Sequence, residues 1–153
     1  MIGHATTAFA LLCDRCGLTL AEAARYLETD EETVLGWSSG NLVCSDHIIA
    51  QLRLLYRQIS ATAEQAMRRF ASFTQNQGSP AEVEVGLVGD DATAQRLGLP
   101  CIGAHRAALG MVIARSHGTR FVLLAAEGSG EAASAPKNGH ANEVAGGNMR
   151  GDG

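Results

Sequence analysis

Lysine is almost missing from this 153-residue chain. Lys137 is the single example, arginine supplies the rest of the 12 basic residues, and 16 acids leave a net charge of −4. A uniformly basic nucleic-acid coat protein is thereby excluded, and any contact with a polyanion has to be local. Aromatics are also scarce, with one Trp, two Tyr and four Phe, too few for a single-strand stacking platform. No run approaches the roughly 18 consecutive apolar residues of a membrane span. The first residues carry neither a basic segment nor a small-residue cleavage site. The expectation is a cytoplasmic protein with no membrane partner. Four cysteines, Cys13, Cys16, Cys44 and Cys101, are too few and too scattered for a disulfide framework, so they are expected to stay reduced. Phosphate loops, paired-carboxylate motifs and H-E-x-x-H are missing. Gly86-Leu87-Val88-Gly89 lacks the downstream spacing of a dinucleotide fingerprint. Neither an enzyme nor a cofactor is expected.

What is present is a hydrophobic content of 46%, enough to bury a core, distributed over three regions. Residues 1–77 read as helical and 82–125 as a small α+β lobe. The run EGSGEAASAPKNGHANEVAGGNMRGDG over 127–153 is a Gly-, Ala-, Ser- and Asn-rich tail, expected to be disordered because it cannot offset its own ordering entropy. The boundary falls at Gln77-Gly78-Ser79-Pro80, where proline withholds an N–H and the preceding helix must stop by about residue 76.

Within the helical region, Ala8, Phe9, Leu11, Leu12 and Cys13 predict a short apolar helix that Gly17 can end. Thr19-Leu20-Ala21-Glu22 is a capping box opening a helix expected to bury Leu20, Ala23, Ala24 and Leu27. A second box, Thr29-Asp30-Glu31-Glu32, opens a helix with Val34 and Trp37 on one face and Gly40 at its end. From about Ser45 to Thr74 a long helix repeats Ile48, Leu52, Leu55 and Ile59 at four, three and four residues. That stripe either covers the preceding helices or forms a dimer seam.

The segment LTLAEAARYLETDEETVLGWSSG, with Ala24 at the helix crossing and Val34, Trp37 and Gly40 at matching spacing, resembles the helix-turn-helix of the lambda-repressor or Xre type. The resemblance covers residues 6 to 58. A layout of such a domain followed by a small lobe also resembles anti-CRISPR-associated phage regulators with a C-terminal dimerisation lobe. The implied fold is mainly α: an N-terminal helix-turn-helix bundle with a long following helix, then the α+β lobe and the tail. The resemblance makes the second capped helix the recognition helix. It places Glu31, Glu32, Thr33 and Gly36 toward base edges in the major groove, and Thr19, Ser39 and Asn41 against phosphates. The sequence departs from the usual pattern here, since a glutamate can accept only from cytosine N4 and is otherwise repelled by phosphate. The two acids equally suit a helix N-terminus through the macrodipole alone.

Charge is unevenly placed. Glu28 to Glu32 holds four acids in five residues, whereas Ala92 to Ala126 holds Arg96, Arg106, Arg115 and Arg120 with no acid. Those arginines serve as solubilising charge or as phosphate contacts. Cys13, Cys16, Cys44 and His47 form a C-x2-C and a C-x2-H pair of the kind tetrahedral zinc takes, weighed against cysteine as a small buried hydrophobe. The lobe predicts a strand at Val83–Val88, a short helix from Asp90 or Asp91 to Leu97, a helix Ile102–Ser116 rich in Ala and Gly, and a strand Arg120–Leu124. Two strands alone make a marginal sheet, so the lobe is expected to pair with a second copy. Function is accordingly expected to be that of a sequence-specific DNA-binding transcriptional regulator, a repressor that occupies its operator as a homodimer on double-stranded DNA. The alternative is a helix-turn-helix reused for protein interaction without DNA binding.

Overall fold

The computed structural model describes residues 6–125. The tail expected over 127–153 lies outside the described residues. The elements run α1 Ala8–Arg15, α2 Leu20–Tyr26, α3 Glu31–Ser39, α4 Asp46–Gln77, β1 Glu82–Gly86, α5 Asp91–Arg96, α6 Ile102–Arg115 and β2 Arg120–Leu124. The fold is mainly helical, with a long fourth helix and a small sheet after it.

Local chemistry explains the boundaries. Thr7, Thr19, Asp30, Ser45 and Asp90 each place a side-chain oxygen on a backbone N–H of the first turn that follows, satisfying donors a helix start would otherwise orphan. Both arms of the Thr19–Glu22 capping box are formed. The second box differs from expectation by one residue: Asp30, not Thr29, is the N-cap. Its carboxylate accepts from the Thr33 N–H at 2.7 Å and from the Thr33 hydroxyl at 2.8 Å. Gly40 closes α3 at φ +80°, a left-handed conformation that is cheap only without a Cβ.

A single core runs through the helices. Phe9, Val34, Leu52, Leu55, Ile59 and Leu99 are all essentially inaccessible, and they join Cys16, Ala104 and Ala108 in one cluster. The long stripe therefore covers its own chain: Leu52, Leu55 and Ile59 are fully buried within the single chain and are not free to form a dimer seam. Leu20, expected inside, is 38% exposed, because the first residue of α2 stands at the helix entrance rather than over the core. The small-residue face of α6 lies on α4, with Gly103, Ala104 and Ala108 buried. The Ala- and Gly-rich helix of the lobe expected to pair with a second copy thus packs closely within its own chain.

The 77–80 junction does not isolate the lobe. Glu22, the buried acid of α2, reaches past its own helix to accept the Gly103 N–H at 2.9 Å, supplying α6 with the cap its own N-cap residue, Cys101, does not make. The Ile102 N–H goes to Asp91 at 2.9 Å, and Arg25 pairs with Asp91 at 2.9 Å. Gly17, at φ +69°, and Gly103 meet backbone to backbone, so a Cβ on either would run into the carbonyl of the other. The strands pair with each other in parallel, Glu82 opposite Arg120 through Gly86 opposite Leu124. Phe121 packs on Phe70 of α4, ring centroids 6.3 Å apart.

Candidate nucleic-acid interface

Helices α2 and α3 flank a turn in which Glu28 takes a positive φ of 54° and Thr29 donates its N–H to the Ala24 carbonyl at 3.0 Å. Ala24 and Val34 are buried between them. Trp37 is half-buried and meets Phe9 edge-on at 5.3 Å between centroids, and the Thr7 hydroxyl donates to the Trp37 carbonyl at 3.0 Å. All four residues read as the motif's internal frame thus hold α3 against α1 and α2 or end it at Gly40, leaving its opposite side in solvent.

That solvent side is narrower than the sequence suggests. Glu31 and Glu32 are exposed, at the start of the helix. Thr33 is not free, since its hydroxyl donates to Asp30. Gly36 is covered: Leu42 folds back on it, donating its N–H to the Gly36 carbonyl at 3.0 Å, and a Cβ there would sit 2.7 Å from Leu42 Cγ. Gly36 thus does not present an open backbone to a groove. Sequence reasoning missed the exposed apolar side chains of this stretch, Leu35 at 56%, Leu42 at 49% and Val43 at 95%. Nothing local signals this, because exposure of a leucine depends on where the next loop returns.

Two of the three residues assigned to phosphates already spend their donors. The Thr19 hydroxyl and N–H both donate to Glu22 at 2.8 Å, and the Ser39 hydroxyl donates to the Gly36 carbonyl at 3.2 Å. Asn41 is exposed just past the helix. Electrostatics is the larger departure. Between Tyr26 and Leu52 there is no Arg or Lys, while Glu28, Asp30, Glu31, Glu32 and Asp46 are all exposed. Hydrogen bonds from the Thr33 N–H and hydroxyl hold the Asp30 carboxyl below its ordinary range, so it stays charged.

Cys13, Cys16, Cys44 and His47 do not converge into a metal site: among the described residues no group of three or more His, Cys, Asp or Glu could hold an ion. Cys13 and Cys16 are core residues, and burial pushes their thiols up to about 12 and about 11, leaving them protonated and poor nucleophiles. His47 instead faces Gln51 at 3.3 Å. The cleft between α2 and α6 is lined by Glu22, Arg25, Asp91 and Arg106, but Arg25 and Asp91 are already paired and Glu22 caps two helices. No described helix is long and apolar enough to cross a membrane. No protein-family model matches the chain, and no curated protein does either.

Proposed function

We propose that the protein is a helix-turn-helix transcriptional regulator that acts as a repressor by occupying an operator as a dimer. The observation that carries this reading is the placement of α3: capped by Asp30, braced by Val34 and Trp37, and free along the side that begins with Glu31 and Glu32. A helix so presented fits a major groove. With no Arg or Lys between Tyr26 and Leu52, affinity has to draw on backbone donors and on arginines elsewhere in the chain, and any base read by Glu31 or Glu32 is cytosine. A gel shift against DNA flanking the protein's own coding region, at ~50 mM and ~200 mM salt, tests it: a steep loss of affinity with salt supports phosphate contact, and no shift at either salt overturns it.

The charge on the same face favours a second reading, a helix-turn-helix turned to protein interaction. From Glu28 to Asp46 the chain exposes five acids together with Leu35, Leu42 and Val43, a composition matched to a basic, partly apolar protein segment rather than to phosphate. Under this reading α3 shows no salt-dependent DNA binding, and Leu35→Ala with Val43→Ala weakens capture of a basic peptide.

A further inference from the structure

The sheet is unfinished, and its two edges are unlike. A two-stranded sheet is marginal by itself, and each strand here has a row of backbone groups with no strand beside it among the described residues. Edge β1 is guarded: Glu82 and Glu84 stand exposed along it, the usual protection of an edge against pairing. Edge β2 is not. After Arg120, whose charge is matched by Glu82 at 3.3 Å, it reads Phe-Val-Leu-Leu with no charge, proline or glycine, and Leu123 and Leu124 remain 47% and 44% exposed.

We propose that β2 is the seam of a two-fold homodimer, in which a second copy of β2 adds antiparallel across it with the axis at Val122. This rests on the dimeric part of the function proposed above, and its register follows from the backbone. In the parallel ladder, Arg120 donates its N–H to Ala81 and Leu124 accepts from Leu87, so residues 120, 122 and 124 turn their N–H and C=O groups to β1. Alternation then turns those of Phe121 and Leu123 to the open edge. An antiparallel copy centred on Val122 sets Phe121 against Leu123 of the second copy as a hydrogen-bonded pair on each side of the axis. Four backbone bonds form, and Val122 faces Val122 in the close, non-hydrogen-bonded pair. Phe121 and Leu123 share the sheet face toward α4, where Phe121 meets Phe70, so each exposed Leu123 is covered by the other copy's Phe121, an aromatic–aliphatic cross-strand pair. Charge rejects the alternative seam. Two β1 strands centred the same way would set Glu84 directly against Glu84, and like charges in opposed positions repel.

Light scattering of the full chain at tens of micromolar should give a dimer. Leu123→Glu, at an exposed position of the protomer, should weaken dimerisation at least about tenfold, or about 1.4 kcal/mol, with helical circular dichroism unchanged. Val122→Cys should form an intermolecular disulfide under mild oxidation with glutathione disulfide, above the wild-type background. The two Cα atoms of that pair stand about 4.5 Å apart, within disulfide reach. Glu84→Cys should not cross-link. A monomeric wild type, or Glu84→Cys cross-linking as readily as Val122→Cys, overturns the seam. A dimer with this register that fails the gel shift leaves the seam standing and sinks the operator reading alone.

Discussion

The two halves of the described chain carry opposite charge. Residues 6–52 hold two arginines against seven acids, net −5, whereas residues 53–125 hold eight arginines against five acids, net +3. The negative half contains α1, α2, α3 and the start of α4; the positive half contains most of α4, both strands, α5 and α6. In a DNA-binding protein one expects the reading head to be the positive part. The difference teaches that α3 and most of the cations needed to hold a polyanion are separated along the described chain. Phosphate contact has to draw on Arg15 and Arg25 or on arginines of the other half, and a polypeptide partner of α3 must bring its own cations. Mechanically the halves are not separate, because they share one core.

The sharpest way to break the comparison is through that core. Leu55 of α4 is fully buried, and Leu55→Ala should cost about 2–5 kcal/mol. If the halves are one cooperative unit, far-ultraviolet dichroism and Trp37 fluorescence should lose midpoint together in a urea titration. Trp37 lies in the acidic half, so two separated transitions would show that the halves fold independently.

Next comes the junction. Glu22→Ala removes the carboxylate that serves Thr19, the N-cap of α2, and Gly103 in α6, costing about 2–3 kcal/mol as a lost cap and an orphaned buried N–H. Burial alone would raise the Glu22 carboxyl, but hydrogen bonds from the Thr19 and Gly103 N–H groups and the Thr19 hydroxyl outweigh it and hold the carboxyl below its ordinary value. A group depressed on folding stabilises above its unfolded pKa, and that contribution fades as pH falls below about 4. Wild type should therefore lose more stability between pH 7 and pH 3 than Glu22→Ala does; equal losses would mean the carboxylate is not holding the junction.

How much of this was legible in the sequence divides by distance along the chain. The Thr19–Glu22 box spans three residues and is readable as a pattern; the second duty of Glu22, at Gly103, lies 81 residues away and leaves no local mark. Asp30 and Thr29 both suit an N-cap, so the start of α3 was readable only to within a residue. The Ala and Gly content of α6 was legible, but composition does not say against what such residues pack; α4 and Gly17 take them. On the candidate interface, Glu31, Glu32 and Asn41 were found exposed as expected. Gly36 was not, because the loop that folds Leu42 over it is set by tertiary structure.

A smaller effect tests what α3 does with its charge. Changing Glu31 and Glu32 to Gln removes two exposed acids without shortening the side chains. If α3 approaches DNA, non-specific binding should tighten by about threefold to tenfold at ~50 mM salt and by less at ~200 mM, as screening removes the repulsion. Preference at one base pair should relax if either acid reads a cytosine. Fluorescence anisotropy on random and operator duplexes separates the two, and unchanged affinity on both would take α3 out of the groove and favour the protein-binding reading.

The smallest effect comes from a cap the chain makes twice, once in each half. Asp30 accepts from the Thr33 N–H and hydroxyl at 2.7 and 2.8 Å, and Asp90 accepts from the Thr93 N–H and hydroxyl at 2.7 and 2.9 Å. The geometry is the same, and in both the threonine bonds hold the carboxyl below its ordinary range. The surroundings differ. Asp30 precedes Glu31 and Glu32, whereas Arg96 donates to the Thr93 hydroxyl at 2.8 Å and adds its own attraction for Asp90. Asparagine keeps one cap oxygen and discards the charge. Asp30→Asn thus trades the charge assistance of its cap bond for relief from neighbouring acids, while Asp90→Asn loses both that assistance and the attraction of Arg96. The melting temperature at pH 7 and low salt should fall further for Asp90→Asn, and the gap should narrow as salt screens the fields. Both carboxyls are depressed on folding, so their contributions are present at pH 7 and vanish as pH drops below about 4. At pH 3 the two variants should melt closer to wild type than at pH 7. If Asp30→Asn is the more damaging at pH 7, the acidic half is not under the self-repulsion its charges imply.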